Sequence, residues 1–339
     1  MSIFWVDGFE GYGTSGAAAG VAAKYTGPNT AIVSGVNVVS GRVQGHALDL
    51  PHDNRVQTGD IMTAPEVTLG FWFRQTAFST TTDFIASLWK VSGVANGAAS
   101  ITQNSGGGIA TGSWFLRLGV TNVGSATGFA PVLNQWYMVH LYSLIHTSGL
   151  IKAFVDGAQI AEFAGDTTGS GANWNYAGWH AFNRRYEIDS AYVASGLNNL
   201  RSEVYTLFPT GAGSEADFTP NTGTNAAAVD DSGPDDDATY NESNSAGNRD
   251  LFPVTVLPSV ASISAIQHNL RSKATSASHN IRPLIRSGMA EQLSANVAVG
   301  TAAYAAQYMV SETDPDTTDP WETAGVNAAE FGYQDGGAV

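Results

Sequence analysis

Val67, Leu69, Phe71 and Phe73 alternate with Thr68, Gly70, Trp72 and Arg74. A period of two puts the first set on one face of a strand and the second on the other; a helix would scatter both. The same alternation recurs along the chain, in runs rich in Val, Ile, Phe, Tyr, Trp and Thr, cut by Gly, Asn, Asp and Pro. It predicts strands over 2–7, 31–33, 47–50, 67–75, 83–91, 113–120, 136–145, 150–155, 158–163 and 186–194. In the second half it predicts strands over 203–208, 250–257, 260–273, 279–286, 290–299, 303–312 and 327–334. Asp156-Gly157 is a tight hairpin turn between two of these runs. Ala328-Ala329-Glu330 is expected to be at most the end of a short helix or a turn. Such spacing points to antiparallel sandwiches, so the expected fold class is all-β.

Composition narrows the chemistry. Apolar residues are 43% of the 339, enough for a core, and charged residues only 13%, which with 38 Gly argues against a helical bundle. The absence of Cys excludes a disulfide framework, a thiolate metal site and a Cys nucleophile. A net charge of −15 excludes a generic phosphate-backbone binder, so no nucleic-acid partner is expected. No apolar run approaches ~20 residues, so no helical membrane span is expected. The opening, Met1-Ser2-Ile3-Phe4-Trp5, lacks a basic segment, and no signal peptide is expected.

Charge also divides the chain. Residues 1–199 carry 12 acids and 9 bases, whereas residues 200–339 carry 18 acids and 6 bases. The shift coincides with turn-forming residues Ser195, Gly196, Asn198 and Asn199. Two domains are therefore expected, 1–198 and an acidic 199–339. The acidic runs at 230–237 and 312–319 are expected to be solvated loops, and neither has the alternating pattern of a calcium loop. The stretch 91–113, rich in Gly, Ala, Ser and Asn, is expected to be a long loop or wide hairpin on one rim of the sandwich.

The order of segments resembles a known family. Phe4-Trp5-Val6-Asp7-Gly8-Phe9-Glu10 opens the series, followed by Gly45–Leu50, Val67–Arg74 and Gln135–Leu141. Leu150–Gly157 and Tyr186–Val193 complete it. This series resembles the concanavalin-A-like, laminin-G-like jelly rolls. The whole chain further resembles virion structural proteins of tailed bacteriophages, on its opening and on Val204–Thr210, Ile281–Gly288 and Pro320–Gly332. The resemblance implies an N-terminal jelly-roll sandwich followed by a smaller β-sandwich. It also implies a non-enzymatic particle component, of head-decoration, fibre or tail type, located in the virion. Its partners would be other virion proteins and copies of itself, with a trimer as the family-level expectation and an acidic face docking on a basic neighbour.

Candidate sites follow. Jelly-roll glucanases carry Glu-x-Asp-x-x-Glu on one strand; here Glu187 and Asp189 match, but Tyr192 stands where the second Glu is needed, so no catalytic residue is assigned. No nucleophile elbow or zinc-binding His pattern occurs. His140 is expected in a core strand. The resemblance implies one structural calcium where the first and last strands meet, with Asp7, Glu10 and Asp189 as the matching ligands; otherwise no cofactor is expected. A host glycan is the alternative partner. Its aromatic platform would be Trp174 and Tyr176, with Asn173 and Arg184 beside them; the competing reading is that Trp174 covers a rim. Trp5, Trp72, Trp89, Trp114, Trp136 and Trp179 are read as core, and Trp321 as the pin of a loop in the second domain.

Overall fold

A computed structural model describes residues 2–12, 21, 24–25, 35–42, 45–77, 83–90, 98–103, 113–125, 127–169, 171–181, 184–198 and 201–339. The expected strand 31–33 and residues 182–183 lie outside them. The chain forms two compact units, Met1–Val204 and Tyr205–Val339.

In the first unit the strands are β1 (Ile3–Asp7), β2 (Asn37–Ser40), β3 (His46–Leu50), β4 (Asn54–Gln57), β5 (Glu66–Ala77), β6 (Asp83–Trp89) and β7 (Ala99–Gln103). They continue as β8 (Trp114–Leu118), β9 (Thr121–Val123), β10 (Trp136–Leu144), β11 (Gly149–Val155), β12 (Ala158–Gly165), β13 (Tyr176–Ala181) and β14 (Arg185–Ser195). They make two antiparallel sheets among the described residues. The larger has the order β12-β11-β10-β5-β14-β3-β2, with β1 also on β14; the smaller has the order β4-β13-β6-β7-β8-β9. Neighbours distant in sequence, such as β5 with β14 and β4 with β13, give the crossed connections of a jelly roll.

The alternation read in β5 sets the layers. Phe71 and Phe73 point between the sheets, where Phe71 meets Trp179 at 5.8 Å and Phe73 meets Trp114 at 5.3 Å. Trp5, Tyr25 and Trp179 extend this edge-to-face cluster. Tyr186 crosses the core and donates to the Ile85 carbonyl of the other sheet at 3.0 Å. Each such side chain, removed from water, stabilises the sandwich by roughly 2–3 kcal/mol. The β11–β12 turn holds Asp156 at φ 50° and Gly157 at φ 85°, the left-handed pair a two-residue hairpin requires.

Several expectations are corrected. Trp72 and Trp89 are buried, but on the outer faces of the two sheets rather than between them, and Trp136 is only half-buried. The stretch 91–113 is not one loop, because β7 lies inside it between β6 and β8. Its Ala-Ser-Ile-Thr-Gln sequence has little strand propensity of its own; central pairing on both sides imposes the conformation. Residues 203–208 form no strand. Residues up to Val204 belong to the first unit: Trp72 donates its Nε1–H to the Ser202 carbonyl at 2.9 Å and Arg42 pairs with Glu203 at 2.7 Å. The 198/199 boundary therefore moves to 204/205.

The second unit contains β15 (Thr219–Pro220), β16 (Asn241–Glu242), β17 (Arg249–Phe252), β18 (Ile266–Ser272), β19 (His279–Ser287), β20 (Ala290–Leu293), β21 (Val297–Val299) and β22 (Ala305–Ser311). A single helix turn, α1 (Thr323–Ala328), precedes β23 (Glu330–Ala338). The sheet β17-β23-β19-β20, with β21 on β19, packs against the β18–β22 pair. Ile285, Met309, Trp321, Val326 and Phe331 fill the space between them. Trp321 does pin its loop, donating to Ser311 Oγ at 3.3 Å. The strand expected at 327–334 begins later because α1 occupies its first residues. The acidic run 230–237 is not wholly solvated: Asp236 chelates Arg271 and Asp237 pairs with Lys273. Those two carboxylates are engaged within their own chain and are poorly placed to attract a basic neighbour.

Candidate functional site

The outer face of the smaller sheet holds a polar row that no linear motif announces. Register pairs Gln57 with Gly178, Gly178 with Ser87, Ser87 with Ser100, and Ser100 with Arg117. Directly opposed residues of antiparallel strands share a face. Trp179, Ala86 and Ile101, one position away, face the core, so this row faces outward. Gln57, Ser87 and Ser100 are at most 1% exposed, and neither the Gln57 amide nor either hydroxyl has a hydrogen-bond partner. A buried polar atom left so costs about 1–3 kcal/mol.

Large planar side chains stand around the row. Trp89 contacts His180 at 4.9 Å, His180 contacts Phe84 at 6.0 Å, and the Arg117 guanidinium lies 5.1 Å over the Phe84 ring. Trp89 reaches across Gly178: a Cβ there would fall 3.1 Å from its ring and 2.3 Å from the Val56 carbonyl, so only Gly fits. Tyr176, paired with Trp89 in register, remains half-exposed. Burial, reinforced by the charge of Arg55 on the neighbouring strand, pushes the His180 pKa down to about 3. Its imidazole is neutral over the ordinary pH range. Burial also lowers the Arg55 pKa. Of these residues Tyr176 and Arg117 are partly exposed, whereas Gln57, Ser87, Ser100, Trp89 and His180 are covered by the chain.

The expected aromatic platform is only partly of this kind. Trp174 is 0% exposed, which rules out a sugar-stacking role at the surface. Its backbone bridges to Ala64, with Trp174 N–H to Ala64 O at 2.8 Å, and Lys90 Nζ sits 5.2 Å over its ring. Lys90 in turn donates to the Thr167 and Thr168 carbonyls, clamping Trp174 beneath that loop. Trp174 is a closing residue of the sandwich edge, as the rim reading held. Arg184 is buried and reaches the Gln103 carbonyl at 3.4 Å, and so is not a surface contact. Asn173 is half-buried in the turn before β13. Of the four, Tyr176 alone lies on the outward row. Gln57, Ser87, Ser100 and Arg117 were missed because four strands contribute them and none forms a motif.

The three expected calcium ligands do not converge. Among the described residues no group of three or more His, Asp or Glu could hold a metal. Asp7 accepts from Phe9 N–H at 2.9 Å, from the phenols of Tyr12 and Tyr25, and pairs with Lys24 at 2.9 Å. Burial and the Asp7 charge raise both phenol pKa values, so both rings stay protonated donors. Asp189 is turned by a bulge in β14, where Ser190 has φ 49°, and accepts the Arg42 N–H at 2.7 Å. Glu10 is buried near the start of the chain. Calcium takes about six to eight oxygen ligands, and the Asp7 carboxylate already accepts from two phenols and pairs with Lys24.

Glu187 and Asp189 share the outer face of the larger sheet but do not act as a pair. Arg74 Nε donates to Glu187 at 2.5 Å, while Asp189 serves Arg42 and Ser190. Burial raises the Glu187 pKa, and Arg74 opposes that rise. His140 is buried, as expected, but lies on this outer face beside Tyr192 at 6.1 Å.

No protein-family model matches the chain, and no curated protein matches it. Solved structures similar to it are β-sandwiches. Endo-β-1,4-glucuronan lyase from the fungus Trichoderma reesei is similar over 48% of this chain and 88% of that one, at 15% identity and a TM-score of 0.38. An alginate lyase from Aplysia kurodai covers 57% of this chain and 100% of its own, at 10% identity and a TM-score of 0.42. Domain 4 of an extracellular arabinanase from Geobacillus stearothermophilus, solved with arabinotriose, covers 48% and 75%, at 16% identity and a TM-score of 0.34. The likeness is one of sandwich architecture. None of these three is a virion protein.

Proposed function

We propose that the first unit binds a carbohydrate on the outer face of its smaller sheet, without turning it over. The observation that carries this reading is Tyr176, half-exposed at an outward register position of β13 opposite Trp89. Its ring can stack on the apolar C–H face of a sugar. Binding without turnover is supported by the carboxylates nearest to a glycosidase pair, Glu187 and Asp189. They lie on the opposite face of the sandwich, each held by a basic residue's N–H. A place in a virion, virion partners and self-association rest on the sequence resemblance alone.

Affinity electrophoresis of the full chain through gels containing a panel of polysaccharides tests this reading. At least one polysaccharide is expected to retard the wild type, with retardation reduced several-fold by Tyr176→Ala and no release of shorter sugars. Retardation by none of the panel, or a Tyr176→Ala variant that migrates as wild type does in its presence, would refute it.

A further inference from the structure

Asp7 ends β1 with a carboxyl group only 6% exposed, and four donors converge on it. Phe9 N–H donates to Oδ1 at 2.9 Å, the Tyr12 and Tyr25 phenols donate to Oδ2, and Lys24 Nζ stands 2.9 Å from that same Oδ2. Aromatic rings wall the pair. The ammonium lies 5.3 Å from the Trp5 centroid and 5.8 Å from that of Tyr12, and Tyr25 packs edge-on to Trp5 at 5.7 Å. Glu10, also buried, stands by the same phenol: burial, the Asp7 charge and the Glu10 charge all push the Tyr12 pKa up. The other lysines are placed differently. Lys152 and Lys273 meet carboxylates that are 41% and 74% exposed, on Glu162 and Asp237, and Lys90 meets the carbonyls of Thr167 and Thr168.

An ammonium and a carboxylate taken out of water together lose hydration that their attraction only partly returns. Loss of one water between them leaves a neutral amide and removes both charges. In bulk water, hydration of the two ions opposes that reaction. At this site the hydration is already gone, and contact replaces a bimolecular encounter. We propose that Lys24 and Asp7 become joined by an isopeptide bond, formed by the folded chain itself, with Glu10 carrying the protons. Lys24 passes a proton to the Glu10 carboxylate, and its neutral amine attacks Asp7 Cγ. The Nζ–Cγ bond forms and negative charge gathers on Oδ2, where the two phenols already donate, as in an oxyanion hole. The protons leaving nitrogen reach Oδ1 through Glu10. The Cγ–Oδ1 bond breaks, water departs, and Oδ2 becomes the amide carbonyl oxygen, still held by Tyr12 and Tyr25. Glu10 ends as the carboxylate it began. In a chain without Cys, the bond ties residue 24 to the first strand as a disulfide does elsewhere.

Intact-mass spectrometry of the full chain, with sequencing of its proteolytic peptides, tests this. The expected wild-type mass is below that of the sequence by one water, and digestion yields a branched peptide joining the segments that carry residues 7 and 24. Lys24→Arg and Asp7→Ala should restore the full mass, and Asp7→Asn should lose ammonia in place of water. Glu10→Gln keeps the side chain's shape and should fold yet retain the full mass. Cooperative thermal unfolding of Lys24→Arg and Glu10→Gln is the folding control. A wild-type mass equal to that of the sequence, with residues 7 and 24 in separate linear peptides, would overturn the proposal. So would a loss of water that persists in Lys24→Arg, because it places the dehydration elsewhere in the chain. Bond formation undiminished in Glu10→Gln would overturn the role of Glu10 while supporting the bond.

Discussion

The two outer faces of the first sandwich are built from the same alternation and are finished in opposite ways. On the larger sheet Arg74, Lys152 and Arg185 each meet a carboxylate, and residues 195–198 and 201–203 lie across the strands. Thr68 Oγ1 donates to the Gly196 carbonyl and accepts from Asn198 N–H, and Trp72 donates to Ser202. Trp72 is covered by the Arg42 guanidinium at 3.5 Å and the Arg201 guanidinium at 4.7 Å. Gly70 lets the Tyr192 ring lie flat there; a Cβ would come within 2.3 Å of it. On the smaller sheet Gln57, Ser87 and Ser100 are buried without a hydrogen-bond partner among the described residues. The polar groups of one face are largely paired, and this row of the other is not. Sites that violate local satisfaction while the rest of a fold obeys it are where function is expected.

The sharpest way to break this contrast is at the completed face. Trp72→Ala removes a ring packed under two guanidiniums and a crossing segment, and should destabilise the first unit by about 3–5 kcal/mol in denaturant unfolding. A loss below about 1 kcal/mol would mean that the crossing segment is not integral to the sandwich.

Acid probes the other face. His180 has a folded pKa of about 3 against an ordinary 6.5. The unfolded chain therefore binds the extra proton between those values, so stability is full above pH 6.5 and falls as the pH drops toward 3. His268 of the second unit, half-buried and lowered to about 4 by desolvation, behaves alike over its own window. His180→Leu should flatten the stability–pH slope of the first unit between pH 6 and 4 and leave that of the second, read by thermal unfolding in a buffer series. An unchanged slope would place the acid sensitivity elsewhere.

A smaller effect is expected at Arg185, which chelates fully buried Asp49 through Nε at 2.8 Å and Nη2 at 2.7 Å. Arg185 is half-exposed, so water replaces part of what it supplies. Arg185→Ala should cost about 2 kcal/mol by leaving Asp49 without its cation. Smallest in stability, and most telling for the comparison, are Ser87→Ala and Ser100→Ala. Each removes a buried hydroxyl without a partner among the described residues and should leave stability unchanged or raise it by up to about 1 kcal/mol in denaturant unfolding. A clear destabilisation would show that these hydroxyls serve the fold.

The strands with strong alternation, such as β5, β10, β11 and β14, were legible because the periodicity is local and the β-branched and aromatic content high. β7 was not, since Ala99–Gln103 becomes a strand only when β6 and β8 flank it. Residues 203–208 show the converse: an apolar run that reads as a strand but finds no ladder. Trp174 illustrates why the platform was misread. Its neighbours Asn173 and Asn175 suggest a polar surface, yet the bridge to Ala64 and the clamp of Lys90 bury it. Tyr176, two residues on, emerges on the outward side of β13 instead.

Alternation by itself determined that this chain builds sheets and which side chains of each strand share a face, because that depends only on the two-residue period of an extended backbone. Strand order decided the rest. Gln57, Ser87, Ser100, Gly178 and Arg117 come from five strands spread over more than a hundred residues, and only the order β4-β13-β6-β7-β8 sets them side by side. Register and crossover are long-range choices made by packing, so the row exists only in the folded sandwich.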